Sequence, residues 1–350
     1  MFIVTMEFTC AKFPSTRFIG SKLKIINWIW SCIQDIDFES AMDAFGGTGI
    51  FSYMAKKKGK EIYFNDILKF NYNLGLALIE NSKIKISDNE LKDCLITHKN
   101  LQYKNIIKET FSDIYFTNQE NAWLDIVIQN INSVSNKYKK ALLFSALGQA
   151  CLRKRPFNLF HRKNLYLRLN DVKRTFHNKT CWDTSFDVYL KHFIEEYNEA
   201  IFSNGKNNKA TSLDVFELPD NFDLVYLDPP YMSGKGVNYL DMYHFLEGIV
   251  DYDDWSNKIE FSKKNRSMKQ VKQIKVWSKK NEINGLLDKL IKKFSGNKIV
   301  MSYRSDGYPS IRKISEMFRE HKGKNPLIYS IPYKYVLSEK TVSEILFVAE

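Results

Sequence analysis

The fold is decided by residues 40–66, SAMDAFGGTGIFSYMAKKKGKEIYFND, in which two apolar runs flank a glycine-rich turn and an amphipathic stretch. Ser40 to Phe45 has the pattern of a short buried strand, and so does Glu61 to Asn65. The residues from Ile50 to Lys58 predict a helix that ends at Gly59, a residue suited to a helix C-cap. Strand, turn, helix and strand in this order form a βαβ unit, which indicates a parallel sheet.

Four later segments continue the sheet. Phe222 to Leu227 and Lys298 to Tyr303 are apolar runs that predict buried strands. Leu327 to Val336 and Glu344 to Val348 are β-rich and have no helical pattern between them. These last two segments therefore predict an antiparallel hairpin that closes the edge of the sheet.

The stretch from about residue 70 to residue 210 differs from the rest of the chain, because it is charged, helix-rich and without clear buried-strand runs. The sequence therefore predicts an α/β fold with a Rossmann-like sheet that is mostly parallel and has an antiparallel terminal hairpin. Residues 1–70 and 211–350 form the sheet domain in this division, and residues 71–210 form a helix-rich insertion.

The composition favours an anionic partner and a reducing compartment. The 350 residues carry a formal net charge of +12 and are 44% hydrophobic, as expected for a well-cored protein that binds a negatively charged partner. The five cysteines are scattered and lack CxxC spacing, and the six histidines show no ligand spacing, so no metal is expected. No secretory signal and no run of ~18 apolar residues occurs, which predicts a cytoplasmic protein that does not enter a membrane.

The turn Gly46 to Gly49 lies between a predicted strand and a predicted helix, where backbone N–H groups face the anionic end of a ligand. Asp66 follows 19 residues after Gly47, at the end of the next strand, where an acid commonly binds ribose hydroxyls. No Gly-Lys-Ser/Thr follows, which excludes a P-loop, and Ser52 stands at the third glycine position of a dinucleotide fingerprint. A nucleoside with a carboxylate, such as S-adenosylmethionine, suits the turn better, and a purely structural turn stays open.

The tetrapeptide Asp228-Pro229-Pro230-Tyr231 directly follows the predicted strand Phe222 to Leu227. Its carboxylate and its first proline carbonyl can each accept a hydrogen bond from an amino group, and the second proline holds the turn. The tyrosine ring can stack on a planar ring that bears the amine. These groups suit the exocyclic amino group of a nucleobase, whereas the alternative is an ordinary turn at the end of a strand.

The segment Arg153 to Lys179 contains nine Lys or Arg residues and one acid, interleaved with aromatic residues. Basic groups of this kind contact phosphates, while aromatic and amide side chains contact bases. We favour nucleic-acid contact over a solvated helical face, and the candidate DNA-binding residues are Arg153, Arg155, Asn158, Arg162 and Asn164. A second basic stretch, Lys258 to Lys280, fits DNA contact and exposed helix equally well.

Taken in order, these motifs resemble the Dam-like, alpha-group DNA adenine methyltransferases over most of the chain. The matching elements are Phe18-Ile19-Gly20-Ser21-Lys22, Asp43 to Gly49, Asp66, Phe157 to Asn164, Asp214-Val215-Phe216, Asp228 to Tyr231, Ser302 to Gly307 and Glu344-Ile345-Leu346. Ser21 stands where the family usually has a second glycine. The resemblance implies that residues 71–210 are a target-recognition region and that the sheet domain is catalytic.

The resemblance also implies the activity, which is transfer of a methyl group from S-adenosylmethionine to the exocyclic amino group of adenine in double-stranded DNA, with base flipping. It implies catalytic roles for Asp228, Pro229, Pro230 and Tyr231. It implies cofactor binding by Phe18, Lys22, Asp43, Phe45, Gly47, Gly49, Asp66, Asp214 and Phe216. A bacterial or phage origin and a cognate restriction endonuclease are further expectations, and no metal is needed.

Three alternatives remain at this point. Cytosine amino-group methylation and RNA adenine methylation use related motifs, but Asp228 stands where cytosine enzymes often have Ser and RNA enzymes often have Asn. A non-catalytic DNA-binding module of the same fold is the alternative from another class. The intact Asp66, Asp228 and Tyr231 argue against such a module, and a measurement of cofactor binding separates the two.

Overall fold

A twisted sheet forms the centre of the computed structural model, which describes residues 11–170, 178–232, 238–334 and 342–350. Within these residues the sheet has seven strands in the order β3-β2-β1-β4-β5-β7-β6. The strands are β1 (Ser40–Asp43), β2 (Glu61–Asn65), β3 (Lys209–Thr211), β4 (Leu224–Leu227), β5 (Lys298–Arg304), β6 (Leu327–Tyr333) and β7 (Val342–Ala349). β7 runs antiparallel to both β5 and β6, and the remaining pairs are parallel. The predicted parallel sheet with a terminal antiparallel hairpin is confirmed, and part of the predicted segment Leu327 to Val336 lies outside the described residues.

Helices cover both faces of the sheet. The helices are α1 (Ile26–Ile33), α2 (Ile50–Lys57), α3 (Lys69–Leu74), α4 (Asp88–Leu95), α5 (Ile106–Thr110), α6 (Asn118–Ser133), α7 (Lys137–Arg153), α8 (Tyr166–Leu169), α9 (Asn178–Asp183), α10 (Phe186–Ala200), α11 (Tyr239–Val250), α12 (Tyr252–Lys258), α13 (Lys272–Lys275), α14 (Lys280–Lys293) and α15 (Ile311–Lys322). A π-helical turn, Gly75–Glu80, continues α3, and 3₁₀ turns occupy Lys22–Lys24, Pro156–Asn158, Val215–Glu217 and Val276–Ser278. Among the described residues, none of these helices combines the length and the apolar character needed to cross a bilayer.

The strand β4 explains why the core has two halves. Its four residues, LVYL, are all buried, as expected for a central strand of a parallel sheet with both faces covered. Successive side chains point to opposite faces, so Leu224 and Tyr226 join the core beside α1 and α2, while Val225 and Leu227 join the core beside α14 and α15. The result is a three-layer arrangement in which the carboxyl ends of the parallel strands share one edge.

The helical region that follows residue 70 begins in contact with the sheet. Gly75 lies against the Phe64 ring so closely that a Cβ at this position would come within 2.3 Å of it. The Glu80 carboxylate accepts a hydrogen bond at 2.8 Å from the backbone N–H of Ala210, which lies in the short strand β3. β3 was not predicted, because three residues are too few for a periodic pattern. The division of the chain at residues 70 and 210 stays a prediction.

The inserted helices are joined to the part of the chain that follows β4. The Tyr115 hydroxyl and the His244 Nε2 atom, which belongs to α11, are 2.8 Å apart and buried. The Tyr252 hydroxyl donates to the carboxylate of Asp125 in α6. Residues 239–258 therefore pack with the inserted helices, so the helical layer is built from two separate stretches of the chain.

Candidate active site

A cleft of about 1050 Å³, part of it open to solvent, lies at the carboxyl ends of β1, β2 and β4. This is the edge at which open α/β sheets commonly bind ligands. Nine of the residues singled out from the sequence line it, namely Phe18, Lys22, Asp43, Phe45, Gly47, Asp66, Asp214, Asp228 and Pro230. Four others, Gly49, Phe216, Pro229 and Tyr231, are each next in the chain to a lining residue but do not themselves line the cleft.

The glycine turn has a conformation that other residues adopt poorly. Gly47 and Gly49 have φ values of 53° and 78°, in the left-handed region that favours glycine. A Cβ on Gly46 would lie 2.0 Å from the Phe64 ring, so this position has no room for a side chain. The backbone N–H of Gly49 donates to the Gly46 carbonyl at 2.7 Å, which closes the turn before α2 begins.

Asp66 connects the end of β2 to the glycine turn. Its carboxylate accepts hydrogen bonds from the backbone N–H of Gly47 at 2.8 Å, the backbone N–H of Leu68 at 2.9 Å and the Asn71 amide at 3.1 Å. Burial raises the pKa of Asp66 to about 6, against the effect of these three donors. The acid predicted to bind ribose thus borders the cleft and orients the turn.

Asp43 is the most buried acid in the cleft lining and has an unused acceptor. The Ser52 hydroxyl donates to Oδ2 at 2.7 Å, whereas Oδ1 has no hydrogen-bond partner among the described residues. Burial raises the pKa of Asp43 to about 7, and the Ser52 hydrogen bond opposes this rise. A buried acceptor without a partner is costly, so a donor or a cation from a ligand would be favoured here.

The loop before β4 is held against the cleft by Asn65. The Asn65 amide donates to the backbone carbonyls of Ala44 at 3.2 Å and Leu213 at 3.1 Å, and its carbonyl accepts from the Leu213 N–H at 2.9 Å. Asp214, the next residue, accepts from the Phe216 N–H at 2.9 Å. These bonds hold the predicted Asp214-Val215-Phe216 element beside the end of β1.

Trp277 is a residue of the cleft that the sequence analysis did not identify. It lies in the second basic stretch, Lys258 to Lys280, and it lines the cleft with Gln273 and Ile274. Its ring stands edge-on to Phe45 at 5.2 Å and parallel to Phe216 at 6.4 Å between centroids. A lone tryptophan among lysines was the available signal. This part of the basic stretch is a wall of the cleft.

Lys22 pairs directly with Asp228. The ammonium Nζ lies 2.8 Å from Oδ1 and 2.6 Å from Oδ2 of Asp228, and 3.5 Å from Oε1 of Glu344. Burial by itself lowers the pKa of Lys22, but the two carboxylates outweigh it and raise that pKa. Burial raises the pKa of Asp228, Lys22 opposes the rise, and Glu344 adds to it.

Tyr231 is buried and packs beneath Asp228. Its hydroxyl donates to the Asp228 carboxylate and lies 3.1 Å from Oε1 of Glu344, while its ring meets Tyr303 edge-on at 5.4 Å between centroids. Glu344 is fully buried in β7. Glu344 was predicted only as part of the closing strand, with no chemical role, although a single acid within VSEILFVA was the available signal.

The five candidate DNA-binding residues fall into two groups. Arg155 and Asn164 are buried, and the Arg155 guanidinium donates to the Asn164 side chain and to three backbone carbonyls. Arg162 is exposed, and Arg153 and Asn158 line a groove of about 1410 Å³ that shares Phe18 to Ser21 with the cleft. The structure therefore does not bring all five to one surface, and residues 171–177 of the segment lie outside the described residues.

The comparisons with known proteins agree on one family. Residues 18–306 match the family model described as D12 class N6 adenine-specific DNA methyltransferase. The chain is 31% identical to the Type II methyltransferase M2.HphI of Haemophilus parahaemolyticus, over 97% of this chain and 98% of that protein. It is 26% identical to the Type II methyltransferase M.NlaIII of Neisseria lactamica, over 93% of each chain.

A longer relative matches over part of its length. The Type II methyltransferase M.FokI of Planomicrobium okeanokoites is 26% identical over 91% of this chain, which spans 49% of that protein. The matched region of this chain contains the cleft, the glycine turn, Asp66 and the Asp228-to-Tyr231 element that the preceding geometry brings together. The chain belongs to the D12 class of N6 adenine-specific DNA methyltransferases.

Proposed function

We propose that this adenine-specific DNA methyltransferase uses S-adenosylmethionine as methyl donor and receives a flipped adenine beside Asp228. The observation that carries the proposal is that Asp228 lines the same cleft as the glycine turn and Asp66. A single cavity can therefore hold the nucleoside of a methyl donor and present a target amino group next to it. Such positioning supplies much of the rate in a direct transfer between two bound groups.

The residues of the cleft fit this cofactor. When bound, S-adenosylmethionine supplies an electrophilic methyl group on a positively charged sulfur. Asp43, Asp66 and Asp228 line the cleft, and the Oδ1 atom of Asp43 has no partner among the described residues. Asp66 is proposed to accept ribose hydroxyls, and Phe45 and Trp277 offer aromatic surfaces for an adenine ring.

Asp228 and the Pro229 carbonyl are proposed to accept the two hydrogens of the target amino group. The adenine amino group lies inside the stack of a duplex, so the base must leave the helix to reach them. Holding both hydrogens turns the nitrogen lone pair towards the methyl group. Asp228 need not remove a proton first, since the amino proton becomes acidic once methylation makes the nitrogen cationic.

Tyr231 has a double role in the proposal. Its hydroxyl holds the Asp228 carboxylate, which fixes the direction of the acceptor. Stacking of its ring on the flipped base stays a prediction from the resemblance. Tyr239 lines the cleft as well and adds an apolar wall on the side of Phe18.

The groove that joins the cleft is the proposed path of the DNA. Its lining contains Arg17, Lys24 and Arg153, which supply positive charge for phosphates. Phe157 is 61% exposed at the same groove and has a left-handed φ of 64°. An exposed aromatic side chain held in a strained conformation suits contact with bases. Arg155 and Asn164 act behind this surface by holding the loop in shape.

The biological setting is proposed from the relatives, which are named Type II methyltransferases. We infer that the protein modifies a specific site in the cytoplasm of a bacterial or virus-infected cell and protects it from a cognate restriction endonuclease. Direct transfer of a methyl group needs no metal ion, so none is invoked.

Expression in a host without adenine methylation, followed by methylation-sensitive sequencing, tests the proposed function. The wild-type protein should place N6-methyladenine at one sequence context, and an Asp228→Ala variant expressed at the same level should leave the DNA unmodified. Modified cytosine, or equal modification by both proteins, would contradict the proposal.

A further inference from the structure

Glu344 is a fully buried carboxylate next to the residues of the catalytic motif. Its Oε1 atom accepts a hydrogen bond from the Ser302 hydroxyl at 2.7 Å and lies 3.1 Å from the Tyr231 hydroxyl. Lys22 is 3.5 Å away, beyond a normal hydrogen bond but within ion-pair distance. A buried charge is costly unless it is paired, so burial of the Glu344 carboxylate carries a desolvation penalty that its partners have to offset.

Lys22 and the target base compete for the same acceptor. The ammonium donates to both oxygens of Asp228, at 2.8 and 2.6 Å. The amino group of a flipped adenine also has to donate to that carboxylate. The ammonium and the Tyr231 hydroxyl together take most of the hydrogen-bonding positions of that carboxylate, so the ion pair has to loosen for the base to bind it in the required direction.

Glu344 offers Lys22 a second position. A movement of less than about 1 Å would bring the ammonium from its 3.5 Å separation into hydrogen-bond range of Oε1. One ammonium can pair with either acid, so when it moves to Glu344 the Asp228 carboxylate is left to accept the entering amino group. The Ser302 hydroxyl donates to the same Oε1 atom and keeps Glu344 in place.

We propose that Glu344 is a positioning residue that takes the Lys22 ammonium from Asp228 when the target adenine enters. The step breaks and forms no covalent bond: Lys22 stays protonated, and its hydrogen bonds move from the Asp228 carboxylate to the Glu344 carboxylate. The inference rests on the proposed role of Asp228 as acceptor of the amino group.

The test measures how strongly the protein prefers a duplex with adenine at the target position over a duplex with purine, which lacks the amino group. The ratio of the two dissociation constants reports the contact between the amino group and Asp228. Glu344→Gln keeps the size of the side chain and its acceptor for Ser302 and Tyr231, but removes the charge that attracts Lys22. We expect the preference for adenine over purine to be about tenfold smaller in this variant than in the wild type, which corresponds to about 1.4 kcal/mol.

A double variant separates the proposed role from a structural one. In Glu344→Gln with Lys22→Met the competing ammonium is gone, so the preference should equal that of Lys22→Met alone. A merely structural Glu344 would weaken binding of both duplexes alike and would add its cost to that of Lys22→Met. Equal preference in the wild type and Glu344→Gln would overturn the inference.

Two further variants complete the test. If Glu344→Gln does not fold, Lys22→Arg replaces it, because a forked guanidinium can hold both carboxylates at once and should also lower the preference for adenine. An unchanged preference in Lys22→Arg would contradict the inference. Asp228→Ala separates the role of Asp228 from that of Glu344. If this variant keeps the preference for adenine, the proposed role of Asp228 as acceptor of the amino group is wrong, whatever Glu344 does.

Discussion

The ammonium of Lys22 lies 2.6 Å from the Oδ2 atom of Asp228, so two motifs separated by 206 residues meet in one partly buried ion pair. Lys22 is the last residue of the first motif of the chain, and Asp228 follows β4 in the middle of the sheet. The pair links the entrance of the cleft to the group proposed to receive the target base, and its disruption has consequences that can be measured.

Replacing Asp228 by Ala should lower the rate of methyl transfer by about 10²–10³-fold or more, because the acceptor that orients the amino group is lost. Non-specific DNA binding should change little, whereas the preference for adenine over purine at the target position should be lost, and Lys22 keeps Glu344 as a partner. Transfer of labelled methyl groups to DNA, with an electrophoretic binding assay on the same protein, measures both quantities. Near-normal turnover in this variant would show that the proposed chemistry is wrong.

Trp277→Ala should weaken cofactor binding about tenfold, since the variant loses an aromatic wall that packs with Phe45 and Phe216. Isothermal titration calorimetry with S-adenosylmethionine measures the dissociation constant. Phe261→Ala is a matched control, because Phe261 lies in the same basic stretch but is 55% exposed and outside the lining of the cleft. Equal affinities in the two variants would remove Trp277 from the cofactor site.

Alanine substitution should lower the stability of the protein at Arg155 and weaken DNA binding at Arg162. Arg155→Ala leaves buried carbonyls of the loop without their donor and should lower the free energy of unfolding by roughly 3 kcal/mol. Arg162→Ala should leave the melting temperature unchanged and reduce the salt slope of DNA binding by about 1. Thermal denaturation and binding titrations at several salt concentrations check both results, and an unchanged slope would remove Arg162 from the interface.

Cofactor affinity should rise with pH between about 5.5 and 7.5. Burial raises the pKa of Asp43 to about 7 and of Asp66 to about 6. A cationic cofactor favours the ionised forms, so its binding releases protons below these values and the affinity levels off above them. Calorimetry across this range measures the trend, and Asp43→Asn should flatten its upper part. A pH-independent wild-type affinity would exclude both acids from cofactor binding.

Asp43 and Asp66 should make the stability of the free protein fall as the pH rises, which is opposite to their effect on cofactor affinity. Their folded-state pKa values lie above the values of an unfolded chain, so between about pH 4 and 7 the folded protein holds protons that the unfolded chain has lost. Their contribution to stability is present at low pH and is lost as the pH rises. Added cofactor should therefore increase the melting temperature more at about pH 7.5 than at about pH 5.5.

Chelation should leave the activity intact. The described residues contain a group of potential metal ligands, Asp288, Glu320 and His321, but it lies on α14 and α15 outside the lining of the cleft. Methyl transfer measured with and without EDTA should agree within about twofold, since positioning rather than a Lewis acid supplies the rate. A loss restored by a divalent cation would contradict this expectation.

Local patterns predicted the parts of this protein that depend on near neighbours in the chain. The strand, glycine turn, helix and strand between residues 40 and 66 follow from side-chain periodicity and from glycine's access to left-handed φ, and they were predicted within a few residues. The Asp228-to-Tyr231 element was recognisable for the same reason, because all of its groups lie within four consecutive residues.

The tertiary structure decided everything that depends on distant segments. Glu344 meets Lys22 and Trp277 meets Phe45 across long separations, and no periodicity connects such pairs. Arg155 has the sequence features of a phosphate ligand, yet it is buried and its guanidinium donates hydrogen bonds to three backbone carbonyls. The sequence by itself determined the order in which the predicted strands and motifs follow one another along the chain. Packing determined which charges face the cleft and which are buried behind it, because burial depends on the whole fold.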